Sequence, residues 1–229
     1  MKLHGKYKRL TISAWSAVLC LAMLLACTIP AAATQTNKYP MPEFTDVQPG
    51  QWHYAAIEYV VTHGYFKGVS DTSFAPSEPM TRAMFVTVLG RVAGVPDRPD
   101  PTPAFSDVKA NSYYSGYVSW ASENGIVEGI SATLFGAQQS VTREQVAVFL
   151  YRYAKHIGLD VRVGNTAFPT GSLDSEDISP WALKSVVWAV SNGIIHGSST
   201  GLEAKSNATR AQVAQFIRNF SEYVARNTN

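Results

Sequence analysis

The sequence predicts an all-α fold made of three helix–loop–helix repeats, and three observations carry that expectation. A series of short landmarks recurs three times in the same order, which is the signature of a repeat architecture. Apolar residues recur with helical spacing in two segments of each copy. Strand-like alternation persists nowhere for more than a few residues.

The first landmark is Phe44-Thr45-Asp46-Val47, matched 61 residues later by Phe105-Ser106-Asp107-Val108. The third copy departs from it, with Leu173 for the Phe and Ser175 where the Asp aligns, although Asp174 and Asp177 lie close by. A first helix follows in each copy. Trp52, Ala56, Tyr59 and Val60 fall at i, i+4, i+7 and i+8, as do Tyr113, Tyr117, Trp120 and Ala121, and Trp181, Ser185, Trp188 and Ala189. That spacing puts each set on one helical face. Gly64, Gly125 and Gly193 follow where a left-handed C-cap is expected, each opening a Gly-h-h-x-Gly segment that ends at Gly68, Gly129 or Gly197. A loop then carries Phe74, Phe135 or Leu202.

The second helix opens at Thr81, Thr142 or Thr209, each a suitable N-cap. Gln145 and Gln212 complete capping boxes with Thr142 and Thr209, whereas Met84 breaks the first one. Phe85, Val88, Leu89 and Val92 share one face, and Val146, Phe149, Leu150, Tyr153 and Val213, Phe216, Ile217, Phe220 repeat it. The expected boundaries are repeats at 44–92, 105–154 and 173–220, a leader at 34–43, linkers at 93–104 and 155–172, and a tail at 221–229. The linkers carry too much Pro and Gly for helix. A unit of about 60 residues is marginal alone, so the three are expected to share one core.

Of the 229 residues, 46% are hydrophobic and 16% charged, a composition able to bury a core. The net charge of +2 arises from Lys2, Lys6, Lys8 and Arg9, since no acid precedes Glu43 and acids outnumber bases in the rest. A nucleic-acid binder held by phosphate neutralisation is therefore not expected. Cys20 and Cys27 are the two cysteines and both are N-terminal, so no disulfide scaffold or Cys-based zinc site is expected downstream.

Residues 1–33 read as an export signal: a basic start, the apolar run Leu10–Ile29, then Ala31-Ala32-Ala33 for cleavage before Thr34. Two alternatives stay open, an uncleaved membrane anchor and a lipobox at Leu24–Cys27 with Cys27 lipidated. The mature chain is expected to be secreted.

The ordered series of Phe-x-Asp-Val, aromatic helix, Gly-h-h-x-Gly, aromatic loop residue and Thr-Arg-Ala resembles the S-layer homology domain, with three tandem copies between Phe44 and Phe220. The resemblance implies an all-helical, pseudo-threefold arrangement with grooves between repeats. It also implies a secondary cell-wall polysaccharide ligand, often bearing pyruvate ketals on N-acetylmannosamine.

Arg82, Arg143 and Arg210 each follow an N-cap threonine, where a cation opposes the helix dipole. The same locally unfavourable choice in three copies points to a function. One reading is binding of a carboxylate or phosphate. The other is a staple to Asp46, Asp107 or Asp174 of a neighbouring repeat; Asp46 and Asp107 are also candidate ligand-binding residues in the grooves. Trp52, Tyr113 and Trp181, at the start of the first helices, are candidates to stack on a sugar ring or to pack in the core. Gly68, Gly129 and Gly197 serve positive φ or present backbone N–H to a ligand. The altered third repeat leads to the expectation that Arg82 and Arg143 matter more for binding than Arg210.

No enzyme is expected and no cofactor. Gly197–Gly201 matches G-x-S-x-G, but no strand precedes it and no His follows His196. His53 and His63 lack zincin spacing, and Asp174, Glu176 and Asp177 lack the rest of an EF-hand. Two functions remain: a non-catalytic anchor for anionic wall polysaccharide, or a structural surface-layer or adaptor protein that binds an unidentified surface protein. The short tail leads to the expectation that no enzyme or surface-layer body is attached.

Overall fold

Among the described residues six helices form: α1 (Tyr54–Thr62), α2 (Arg82–Val92), α3 (Ser115–Glu123), α4 (Arg143–His156), α5 (Leu183–Ser191) and α6 (Arg210–Asn227). The computed structural model describes residues 38–163, 177–198 and 201–228, all within one compact unit, Asn37–Asn229. The expected signal at 1–33 and lipidation at Cys27 lie outside the described residues, as do Leu173, Asp174, Ser175 and Glu176. Among the described residues there is no strand, and the fold is all-α. None of their helices is long and apolar enough to cross a membrane.

The local chemistry of the second helices matches their sequence. Thr142 and Thr209 close full capping boxes with Gln145 and Gln212. Thr81 accepts only the Met84 N–H, because a methionine has no oxygen to return the bond. The first helices end at Gly64, Gly125 and Gly193, with φ of 77°, 65° and 69°, the left-handed region where a Cβ is unfavourable. They begin later than expected. Trp52, Tyr113 and Trp181 stand in the turn ahead of them, and His53, Tyr114 and Ala182 occupy the N-cap without a side-chain bond. The expected tail at 221–229 instead continues α6 to Asn227, where Tyr223 is buried against Trp188.

The main helix contacts join different repeats. α2 packs on α3, α4 on α5, and α6 returns to α1. The ring of Tyr117 occupies the place a Cβ on Gly90 would take, which brings α2 and α3 close together. Phe85, Leu89, Val146, Leu150, Ile217 and Phe220 enter one continuous core with Ala56, Val60, Ala121 and Trp188. No repeat therefore holds a separate core, as the small size of each unit requires.

The centre of the arrangement is a closed cycle of backbone hydrogen bonds. Met80 N–H donates to the Ala208 carbonyl at 3.0 Å, Ala208 N–H to Val141 at 2.9 Å, and Val141 N–H to Met80 at 2.8 Å. Each of these residues immediately precedes an N-cap threonine. The cycle draws the N-termini of α2, α4 and α6 to one axis, and so positions the three arginines that follow.

Candidate functional site: composite grooves

At a helix N-terminus the first N–H groups have no intrahelical acceptor. Here the next repeat supplies one. Arg82 and Ala83 N–H donate to the carbonyls of Gln139 and Ala137, Arg143 and Glu144 to Ser206 and Ala204, and Arg210 and Ala211 to Glu78 and Pro76. These ends are therefore filled by protein carbonyls, and they are not open anion sites.

The arginine side chains follow the same rule. Arg82 Nε donates to the Phe135 carbonyl at 2.9 Å and Nη2 to Glu128 at 2.8 Å. Arg143 reaches Leu202 and His196 at 2.8 and 2.7 Å. Arg210 reaches Phe74 and Lys67 at 2.7 and 2.9 Å. Each guanidinium also lies over aromatic rings: Arg82 over Phe135 at 4.6 Å, Arg143 over Phe216 at 5.1 Å, and Arg210 over Phe74 at 4.5 Å. All three residues are buried. Burial pushes the Arg82 guanidinium down to about 10, against the opposing field of Asp107, and it lowers Arg143 and Arg210 as well. Arg82 thus stays charged at neutral pH.

This corrects two expectations. The arginines do staple neighbouring repeats, but to carbonyls, and not to Asp46 or Asp107. Those carboxylates hold their own loops. Asp46 accepts from the Ser73 hydroxyl and from Phe74 and Ala75 N–H at 2.7 to 2.9 Å. Asp107 accepts from Phe135, Gly136 and Ala137 N–H at 2.7 to 2.9 Å. Desolvation resists ionisation of each carboxyl, but these bonds outweigh it and hold each pKa below the ordinary value. The Asp is linked to the Arg through a single peptide group. The Phe135–Gly136 peptide offers its carbonyl to Arg82 and its N–H to Asp107, and Phe74–Ala75 joins Arg210 to Asp46 in the same way.

The second correction concerns which groove belongs to which arginine. Arg210 serves the intact loop of the first repeat, and Arg143 serves the altered loop of the third. The ranking that placed Arg210 last therefore rests on the wrong pairing.

Gly68, Gly129 and Gly197 are not in the left-handed region; the positive-φ reading does not apply to them. Steric room decides them. A Cβ on Gly68 would lie 2.6 Å from the Phe44 ring and against the Ser70 carbonyl, and one on Gly129 would lie 2.7 Å from Phe105 and against Ser131. Phe44 and Phe105 in turn pack on the loop rings Phe74 and Phe135.

Two grooves are enclosed by these parts. One, of about 410 Å³, is lined by Arg82, Glu128, Gly129, Gln145, Phe149 and Trp181 among others. The other, of about 330 Å³, contains Arg143, His196, Gly197, Gln212, Phe216 and Trp52. Each takes its arginine from one repeat, its loop and second helix from the next, and its tryptophan from the remaining one. Trp52, Tyr113 and Trp181 are 65%, 52% and 59% exposed, so they are not core residues, whereas Trp188 is fully buried and Tyr59 and Trp120 are partly so. Asp46 and Asp107 line neither groove.

Glu144, Arg91 and Arg152 were not singled out by the sequence. Buried Glu144 accepts from the Ser179 N–H and hydroxyl, both at 2.9 Å, and so fixes the approach to α5. Arg91 and Arg152 sit at the same distance from Arg82 and Arg143, a recurrence visible in the sequence that Asn219 breaks in the third copy. Among the described residues no group of three or more His, Cys, Asp or Glu is placed to hold a metal.

A family model described as the S-layer homology domain matches residues 43–84, 104–147 and 174–214. The chain is similar to an amylopullulanase of Thermoanaerobacterium thermosulfurigenes, at 30% identity over 83% of this chain and 10% of that protein. It is similar to an endoglucanase of Bacillus sp. (strain KSM-635), at 28% identity over 88% of this chain and 21% of the relative. S-layer protein sap of Bacillus anthracis is 26% identical over 86% of this chain and 22% of its own length. The chain thus spans between a tenth and a little over a fifth of the length of these relatives.

Proposed function

The chain belongs to the S-layer homology domain family, and we propose that it anchors to the cell wall by holding an anionic secondary wall polysaccharide in its composite grooves. It is a cell-surface anchoring module of three tandem repeats. The ligand is a polymer whose N-acetylmannosamine units carry pyruvate ketals, with the ketal carboxylate turned to the arginine and the sugar face on the exposed aromatic ring. The chain performs no reaction in this role, and the protein it tethers is a separate matter from how it binds.

One observation carries the proposal. In each described groove a buried, charged guanidinium has Nε and Nη2 fixed by carbonyls, while Nη1 makes no hydrogen bond among the described residues. An exposed indole stands across the groove. A cation oriented by backbone acceptors is preorganised for a carboxylate, and an aromatic face suits the apolar side of a pyranose. A structural role alone would leave the three large aromatic side chains exposed without purpose.

Sedimentation with purified wall sacculi tests the reading. Native sacculi should retain the protein, and chemically depyruvylated sacculi should retain little of it. Equal retention by the two preparations would contradict the role given to the carboxylate, and retention by neither would favour a protein partner instead.

A further inference from the structure

The three repeats differ at the residue before the second glycine of Gly-h-h-x-Gly. It is Lys67 in the first repeat, Glu128 in the second and His196 in the third. A second position on the following helix varies with it, as Arg91, Arg152 and Asn219.

In the Arg82 groove, Glu128 forms an ion pair with Arg152 at 3.0 Å, so one of the two guanidinium charges is already matched. In the Arg143 groove Asn219 replaces the second arginine and donates to the Ile194 carbonyl at 3.1 Å. Glu203 lines that groove and its charge acts on Arg143.

The surroundings of Arg210 differ from both. Arg91 Nη1 donates to the Tyr65 carbonyl at 3.2 Å, Arg210 Nη2 donates to the Lys67 carbonyl at 2.9 Å, and Arg210 lies over the Phe66 ring at 5.6 Å. Two guanidinium groups therefore bracket three consecutive residues, and exposed Lys67 adds a third cation. The positions of Glu128 and Glu203 are taken here by Lys67 and Ala75. Asp46 reaches Arg210 through the Phe74–Ala75 peptide and its charge acts on Arg210, as that of Asp107 acts on Arg82. Half-exposed Tyr113 faces the same pair of cations: partial burial raises its phenol pKa, and Arg91 and Arg210 pull it back.

Resting on the carbohydrate reading above, we propose that Lys67, Arg91, Arg210 and Tyr113 form a third groove chemically unequal to the other two, and that it holds the acidic sugar most tightly. The residue before the second glycine sets the charge that each groove presents. Concentrating one sign of charge in one place raises the local concentration of an anion there, whereas the Glu128–Arg152 pair lowers the affinity of its groove for the same anion.

The grooves are read separately by the backbone amides of Gly68, Gly129 and Gly197 in ¹H–¹⁵N spectra of the full chain. The probe is the methyl glycoside of 4,6-O-pyruvylated N-acetylmannosamine, with the same glycoside lacking the ketal as control. The Gly68 amide should shift at the lowest probe concentration and should not respond to the control. Lys67→Glu should weaken that response about tenfold, and Glu128→Lys should bring Gly129 into the concentration range of Gly68. Lys67 and Glu128 are exposed, so neither substitution threatens the fold. A first response at Gly129 or Gly197, or indifference of Gly68 to Lys67→Glu, overturns the inequality while sparing the carbohydrate reading. Silence of all three amides, or equal response to the control, overturns both.

Discussion

Arg210 and Phe74 lie 136 residues apart, yet the Arg210 Nε donates to the Phe74 carbonyl at 2.7 Å while its guanidinium rests on the Phe74 ring at 4.5 Å. That contact joins the last helix to the first repeat and closes a cycle in which every repeat completes its neighbour. The same residue that closes the cycle also holds the Lys67 carbonyl, so stability and the proposed binding are tied to one side chain.

Arginine replacement should therefore cost stability as well as affinity. Each guanidinium makes two charge-assisted bonds to buried carbonyls, and losing a hydrogen bond to a charged group costs about 1.5–3 kcal/mol. Arg82→Ala, Arg143→Ala and Arg210→Ala should each lower the melting temperature clearly. Lysine should restore little, because it lacks the planar fork that meets two acceptors at once. Thermal melts of the alanine and lysine variants check this, and unchanged melting would remove the stapling role.

The aspartates set an acid limit. The bonds from the loop amides hold the folded pKa values of Asp46 and Asp107 below the ordinary aspartate value of 3.8. Their contribution is thus complete above that value and is lost as pH falls through the folded pKa. Stability should fall below about pH 4, and Asp46→Asn with Asp107→Asn should flatten the fall while lowering stability at pH 7. Denaturant midpoints across pH 2–7 decide the matter.

Gly129→Ala should destabilise by about 1–3 kcal/mol, since its Cβ would press on the Ser131 carbonyl and the Phe105 ring. Gly94→Ala has open space but a φ of 70°, so it isolates the backbone cost alone and should be milder. Chemical denaturation of the pair separates collision from conformation.

Trp52→Ala and Trp181→Ala remove exposed rings and should leave stability within about 0.5 kcal/mol. Retention on wall sacculi should weaken about tenfold for each. Melting temperature and sedimentation on the same samples distinguish a binding surface from a structural one.

Much of this molecule was legible because it is local. Helical spacing, threonine caps and C-cap glycines are set by neighbours a few residues away, and Thr142 with Gln145 behaves as the pattern requires. The partners of the arginines were not legible, because repeat periodicity cannot say whether a second helix packs on its own first helix or on the next one. The same ambiguity made Asp46 and Asp107 look like groove acids when they tie loop amides. Trp52 and Trp181 were ambiguous for another reason: two residues ahead of a helix, a helical face no longer determines where a side chain points.

The cycle of Met80, Val141 and Ala208 gives the most direct test of the claim that the three repeats form one closed body. Native-state hydrogen exchange reads the opening free energy of each of these amides. The expected result is equal protection of all three, matching the global stability, with Ile217→Ala in α6 lowering all three by the same amount. If Val141 or Met80 keeps its protection while Ala208 loses it in that variant, the repeats open independently and the closed cycle is not what holds them together.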